Sequence, residues 1–299
     1  MQLTTSQLEG VLEECIDAAR FAGTFLGDYF YPGATLKRRK MDEVPEGIDP
    51  STFNVVSDVD LALQAHVARR LLDKFPDFEF FGEEDPAKVF DPIEDRDIIE
   101  RIQTNHSRYQ FIVDPLDGTG RYLALDARFG IFIGLLEDNN FVLAVGYNPK
   151  QFSMTYAIRG QGCYMDGNKF RFNSTIDDHL VLNTKANRTE AFKAELQDEG
   201  LFLMRPKHTG TMYDMLFLQH AFGMVSLKTN THDHPLSLAV EEAGGTVLVY
   251  DGKQFVRGSQ FNWRNESSKK DANIPAYIAA NTEENALALS KRVLKYLAA

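Results

Sequence analysis

Cysteine is nearly missing from this chain. Cys15 and Cys163 are the two among 299 residues. They are too few for a disulfide framework and lack the paired spacing of a structural zinc site. A reducing, cytoplasmic setting is therefore expected. Basic charge is also scarce: 32 Lys and Arg stand against 43 Asp and Glu, a formal net charge of -11. Binding of nucleic acid through a basic face is not expected of such a chain. Its one basic cluster, Leu36-Lys-Arg-Arg-Lys40, is followed by Asp42, Glu43 and Glu46 and reads as a solvated loop. No apolar run approaches the length of a membrane span. The opening MQLTTSQLEG shows no basic-then-apolar leader pattern.

What is present is the composition of a globular protein, 43% hydrophobic and 25% charged, enough to bury a sizeable core. Ser6-Gln-Leu-Glu9 forms a capping box ahead of an amphipathic helix through Leu8, Val11, Leu12, Cys15, Ile16, Ala19 and Ala22. Residues 33–52 are rich in Gly, Pro and charge and read as a mobile loop. Ser57-Asp-Val-Asp60 starts a second helix that ends before Pro76. Strands are expected at Phe78–Phe81 and Tyr109–Val113, then as a hairpin of Phe129–Glu137 and Phe141–Tyr147. From about residue 179 strands and helices alternate, and Asp233–Ala243 reads as a helix closed by Gly244-Gly245. The expected class is mixed α and β in two sheet-bearing halves, 1–178 and 179–299.

The stretch Phe111-Ile-Val-Asp-Pro-Leu-Asp-Gly-Thr-Gly120 raises the functional question. Asp114-Pro115-Leu116-Asp117 suits a type I turn, which would aim both aspartates at one place with the Leu116 carbonyl between them. Such hard oxygen donors suit Mg²⁺ or Mn²⁺ rather than zinc. Gly118 permits a sharp turn, and the amides of Gly118-Thr119-Gly120 would open a helix where a phosphate could bind. Seen alone, Asp-Pro and Asp-Gly are ordinary turn formers. An aspartyl nucleophile of the haloacid-dehalogenase type needs its second Asp two residues on, not three. A P-loop needs a lysine after its glycines, and none is here. Two other acid-bearing stretches weigh against the bland reading: Gly82-Glu83-Glu84-Asp85, and Thr231-His232-Asp233-His234 before Glu241-Glu242-Ala243-Gly244-Gly245.

Together these stretches resemble the signatures of the inositol monophosphatase family, in order and spacing, from about Ser57 to Asn281. The family comprises Mg²⁺-dependent, lithium-sensitive sugar-phosphate phosphatases related to fructose-1,6-bisphosphatase and the bisphosphate nucleotidases. The resemblance implies a layered α/β/α/β/α sandwich, two or three Mg²⁺ ions (Mn²⁺ as a substitute), a small phosphorylated metabolite as substrate and a homodimer. It implies that Glu83, Asp114, the Leu116 carbonyl and Asp117 bind metal, and that Asp233 binds a second ion shared with Asp114. Glu83 and Thr119 would orient a water, with Asp58 behind Thr119. Asp117, Gly118, Thr119 and Asp233 would contact the substrate, as would Gly210-Thr211, which matches the family's Gly-Thr segment.

The sequence departs from that pattern in places. His232 stands where the family usually has Trp, and His234-Pro235 where it has small residues; His234 is expected to touch substrate and His232 to pack, in preference to a transition-metal site at His-Asp-His. Ser226 occupies the position of a glutamate that binds sugar hydroxyls in animal enzymes acting on inositol phosphate. The leaving-group pocket is therefore expected to differ, leaving histidinol phosphate and bisphosphate nucleotides as alternative substrates. Some family members act as binding partners in RNA-related complexes, which keeps a non-catalytic role as a rival reading.

Overall fold

The computed structural model describes residues 2–29, 58–173, 177–183, 186, 189–204, 209–264 and 274–297. The expected loop over 33–52, with its basic cluster, lies outside them.

Helix α1, Thr5–Tyr29, begins one residue before the expected capping box. Its start is instead tied by Thr4 and Gln7: Thr4 N–H donates to Gln7 Oε1 (2.9 Å), and Gln7 N–H to Thr4 Oγ1 (3.3 Å). Thr4-x-x-Gln7 fits the same motif two residues earlier. Helix α2, Asp58–Lys74, turns Leu63, Val67, Leu71 and Leu72 inward.

Seven strands form the first sheet in chain order: β1 Glu79–Gly82, β2 Tyr109–Asp117, β3 Gly130–Glu137, β4 Asn140–Asn148, β5 Ser153–Ile158, β6 Gly162–Met165 and β7 Asn168–Phe170. Only β1 and β2 pair in parallel; the rest are antiparallel. The hairpin of β3 and β4 turns at Asp138, which takes a positive φ of 54°. Helices α3, Pro86–Val89, and α4, Arg96–Thr104, fill the crossover from β1 to β2, which supplies the length that a parallel pair requires.

The second sheet draws all its strands from later in the chain: β8 His179–Leu182, β9 Phe202–Met204, β10 Gly223–Thr229, β11 Thr246–Tyr250, β12 Phe255–Arg257 and β13 Ile274–Ala280. Their spatial order is β12-β11-β13-β10-β8-β9. Four helices accompany it: α6 Glu190–Asp198, α7 Thr209–Phe217, α8 Ser237–Glu242 and α9 Glu283–Leu297.

Period-two alternation builds the layers. On β2 and β3, Phe111, Val113, Ile131 and Ile133 face α1 and α2, while Ile112 and Phe132 face the other way. That second face packs on Met212, Tyr213 and Leu216 of α7 and on Leu238, Ala239 and Val240 of α8. Beyond those helices lie Met224, Val247 and Tyr277 of the second sheet. Its far face, with Leu180, Val225 and Ile278, is covered by Phe192 of α6 and by Leu289 and Val293 of α9. The order of layers is helix, sheet, helix, sheet, helix, as the resemblance implied. No described helix is long and apolar enough to cross a membrane.

Candidate metal centre

Four carboxylates are gathered from three separate parts of the chain. The parallel pairing of β1 with β2 sets Gly82 opposite Val113, and Glu83 N–H donates to Val113 O (3.0 Å). Glu83 therefore leaves the sheet beside Asp114. Gln64 of α2 clamps this strand end: its amide donates to Glu84 O and accepts from Glu84 N–H, both at 2.7 Å. Gly82 suits the close approach, since a Cβ there would lie 2.3 Å from the Gln64 side chain.

Asp114 and Asp117 do not sit on the expected type I turn. β2 runs on through both of them, fully buried. Asp114 pairs with Phe132 and Asp117 with Gly130, so Pro115 and Leu116 together oppose the single residue Ile131. In a regular strand residues three apart face opposite sides. The extra residue of this bulge cancels that half-turn and sends both aspartates the same way. A bulge also suits Pro115, which has no N–H to give a ladder. Asp114 Oδ1 accepts from Leu116 N–H (3.0 Å), which secures the kink.

Asp233 ends a short 3₁₀ turn, Thr231–Asp233, and not the start of a long helix. Pro235 separates that turn from α8, because the residue before a proline is pushed out of helical geometry; His234 has φ -125° and ψ 28°. The Asp233 carboxylate accepts from Asn230 N–H (2.9 Å) and Thr229 Oγ1–H (2.8 Å).

These residues form two overlapping groups. One ligand atom from each of Asp114, Asp117 and Asp233 lies within 4.8 Å of the others, and the same holds for Glu83, Asp114 and His232. Asp114 is common to both. Burial raises the Glu83 and Asp114 carboxyls well above the usual range, and the negative charges around each raise them further. Burial acts on Asp233 in the same sense, but His232, His234 and its hydrogen bonds outweigh it, and its carboxyl titrates below the usual value.

The hydroxyl of Thr119 corrects one expectation. It donates to Oδ1 of Asp60 at 2.7 Å, not to Asp58. Asp58 is the first residue of α2, and positions two apart on a helix face different ways. Asp60 is fully buried; Leu116 O is the other acceptor near the Thr119 hydroxyl, at 3.2 Å.

His234 departs from its expected role. His234 is fully buried, stacked on Tyr277 with ring centroids 3.8 Å apart. Its Nδ1 is 3.1 Å from Tyr213 Oη and its Nε2 is 2.9 Å from Thr229 Oγ1. Thr229 spends its hydroxyl proton on Asp233, so it must accept from His234 Nε2–H. Nδ1 then accepts from Tyr213, whose oxygen takes the Tyr277 hydroxyl at 2.8 Å. This chain holds Asp233 in place, and burial lowers the His234 imidazole to about 4, keeping it neutral. His234 therefore packs. His232 instead puts Nε2 at 3.8 Å from Glu83 Oε1.

Ser226 does not face the acids either. It is fully buried on β10, its hydroxyl directed at Met212 Sδ (3.7 Å). Gly210 and Thr211 fall in the first turn of α7, and their burial and side-chain contacts lie outside what is described. Asp60 and Gln64 were missed by the sequence reading. Their signal was there: spaced four apart, they are polar residues on the buried stripe of α2.

The donor set fits a hard divalent cation. Among the described residues, buried carboxylate oxygens converge from separate parts of the chain, which is the environment that Mg²⁺ or Mn²⁺ satisfies.

Comparison with known proteins agrees with this chemistry. The description "Inositol monophosphatase family" matches residues 7–294. Among curated relatives, Nus factor SuhB of Xylella fastidiosa is 28% identical over 183 residues, 61% of this chain and 58% of the relative. Inositol monophosphatase 2 of Solanum lycopersicum is 26% identical over 167 residues, 56% of this chain and 55% of the relative. The chain thus spans less than two thirds of the length of either. The crystal structure of extragenic suppressor protein suhB from Bartonella henselae shares the fold with a TM-score of 0.71 at 20% identity, covering 95% of this chain and 98% of that one. A family match that takes in both sheets and every residue of the two ligand groups has one reading: this chain belongs to the inositol monophosphatase family.

Proposed function

We propose that the chain is a divalent-cation-dependent phosphomonoesterase that releases phosphate from a small phosphorylated metabolite. The observation that carries the reading is Asp114, shared by two groups of ligand-competent atoms with Glu83 on one side and Asp117 and Asp233 on the other. Bound there, Mg²⁺ or Mn²⁺ would neutralise phosphoryl charge and make a water easier to deprotonate. Glu83, Asp114, the Leu116 carbonyl, Asp117 and Asp233 would hold the ions.

The chain's own residues would do the rest. Thr119 donates its proton to Asp60, which leaves its oxygen free to accept a hydrogen from the attacking water. Glu83, also an ion ligand in this reading, would accept the water's other hydrogen and so fix its orientation. Gly118, at φ 92°, turns the chain into the short helix α5, Thr119–Leu123. The amides of Gly118 and Thr119 would hold phosphate oxygens there. Ser226, being buried, offers no contact to a sugar hydroxyl, which favours a phosphomonoester other than inositol phosphate. Lithium inhibition, a homodimer and a cytoplasmic setting belong to the same reading.

A phosphate-release screen over inositol and sugar phosphates, histidinol phosphate and bisphosphonucleotides, with and without Mg²⁺, tests it. Release that requires the cation is expected; no release from any of them overturns it. A second reading, a binding partner without turnover, has in its favour the relative named Nus factor SuhB. Cation binding with no turnover of any substrate would move the assignment there.

A further inference from the structure

The two ligand groups differ in chemistry. Asp114, Asp117 and Asp233 offer only oxygen, whereas Glu83 and Asp114 are joined by an imidazole nitrogen. His232 and Asp233 are consecutive in a 3₁₀ turn, where successive side chains diverge by about 120°. They accordingly join different groups. The 3.8 Å between His232 Nε2 and Glu83 Oε1 is too long for a hydrogen bond. It lies between the separations that bonds of about 2.1 Å give, about 3.0 Å for adjacent donors and about 4.2 Å for opposite ones, so one ion can reach both atoms. His232 is buried, 6% exposed, so its ring is held where it points. A Trp or Phe at this position would bring no donor atom.

We propose that His232 is a nitrogen ligand at the Glu83–Asp114 position, so that this position prefers a borderline transition metal such as Mn²⁺ or Co²⁺ over Mg²⁺. The Asp114–Asp117–Asp233 position stays an oxygen site suited to Mg²⁺. The inference rests on reading the carboxylate cluster as a cation centre. Imidazole binds first-row transition ions more strongly than it binds Mg²⁺, which keeps oxygen ligands and water. One nitrogen donor is therefore enough to make the two positions unequal.

The test uses the full chain stripped with a chelator and then given one equivalent of Mn²⁺. Pulsed EPR is expected to show ¹⁴N coupling from one directly bound imidazole. Titration calorimetry is expected to show Mn²⁺ binding at least about tenfold tighter than Mg²⁺. In H232F the nitrogen coupling disappears and Mn²⁺ binding weakens at least about tenfold, while Mg²⁺ affinity moves by less than about threefold. Wild-type protein that binds Mn²⁺ with no nitrogen coupling overturns the proposal, and that result needs no variant to fold. The phosphate-release screen separates the two readings. Nitrogen coupling without turnover leaves this inference standing and removes the hydrolase; turnover without nitrogen coupling does the reverse.

Discussion

Asp114→Asn should make the metal-free protein more stable while destroying its response to cations. Asn has almost the volume of Asp and keeps the Oδ1 that accepts from Leu116 N–H, so the bulge of β2 survives. What the change removes is charge. Asp114 lies within 4.8 Å of ligand atoms on Asp117 and Asp233 in one group and on Glu83 in the other. One ionised pair at that distance repels by about 3.5 kcal/mol at an effective dielectric of about 20. Burial and these neighbours raise both the Glu83 and Asp114 carboxyls, so the folded state binds protons that the unfolded chain releases. Their contribution to metal-free stability is therefore fullest below the unfolded carboxylate value of about 4, and is lost as pH rises through the raised folded values. Near pH 8 the variant should gain about 2–3 kcal/mol, or roughly 3–5 °C in Tm. The gap should close as the pH falls toward 4. Mg²⁺ at a hundred times its Kd should return about 2.7 kcal/mol to the wild type and almost nothing to the variant. Losing one such interaction in the transition state slows phosphate release by a few hundredfold. Thermal melts at pH 5 and pH 8, with and without Mg²⁺, read all of this. A variant that melts several degrees below the metal-free wild type at pH 8, or that keeps the Mg²⁺ shift, would refute the reasoning.

Asp60→Asn should lower kcat by about a hundredfold or more with a small change in KM, while Asp58→Asn leaves kcat within about threefold; equal losses from both would remove the Thr119–Asp60 pair from the chemistry. His234 has a folded value of about 4 against 6.5 in the unfolded chain, so the unfolded state binds more protons between those values and stability falls with falling pH there. That slope amounts to about 3 kcal/mol, and His234→Phe should flatten it in urea melts at pH 5 and 7.5, at the expense of about 2 kcal/mol near pH 7.5 from the lost bonds to Tyr213 and Thr229. Asp214 is the opposite case: burial raises it to about 6, although it accepts from Asn148 Nδ2 at 2.8 Å. Its contribution is present below about pH 4 and lost by about pH 6, so Asp214→Asn should stabilise the protein by about 1–2 kcal/mol at pH 8 and by almost nothing at pH 4; part of the side chain meets solvent, which trims the full shift. Gly82→Ala should displace Gln64 and weaken Mg²⁺ binding at least about tenfold, measured by calorimetry, since the clamp on Glu84 is what holds Glu83 beside Asp114.

Much of the site could be read before any fold was known. Glu83, Asp114, Asp117 and Asp233 were each named from a turn-rich, acid-bearing stretch at the end of an element, and each joins at least one of the two groups, Asp114 both of them. Gly, Pro and paired acids mark such ends wherever they occur, and the resemblance to the family singled these out as ligands. Where the reading slipped, the missing information was orientation. Asp58 and Asp60 are the same residue type two positions apart, and only the phase of α2 against β2 decides which one meets Thr119. His232 and His234 flank the same aspartate, yet one faces Glu83 and the other lies under Tyr277. Ser226 looked like a pocket residue by alignment with a glutamate; the alternation of β10 turns it toward Met212.

The order of hydrophobic and polar residues by itself determined the kinds of element, their succession and the acids available to a cation. Those follow from side-chain period, capping and turn chemistry, which act over a few residues. Tertiary structure alone decided that β2 bulges between Asp114 and Asp117, that β1 docks in parallel to set Glu83 beside them, and that His232 points at Glu83. Such choices depend on register and packing between segments far apart in the chain, and a shift of one residue in any of them reverses which side of the backbone a side chain occupies.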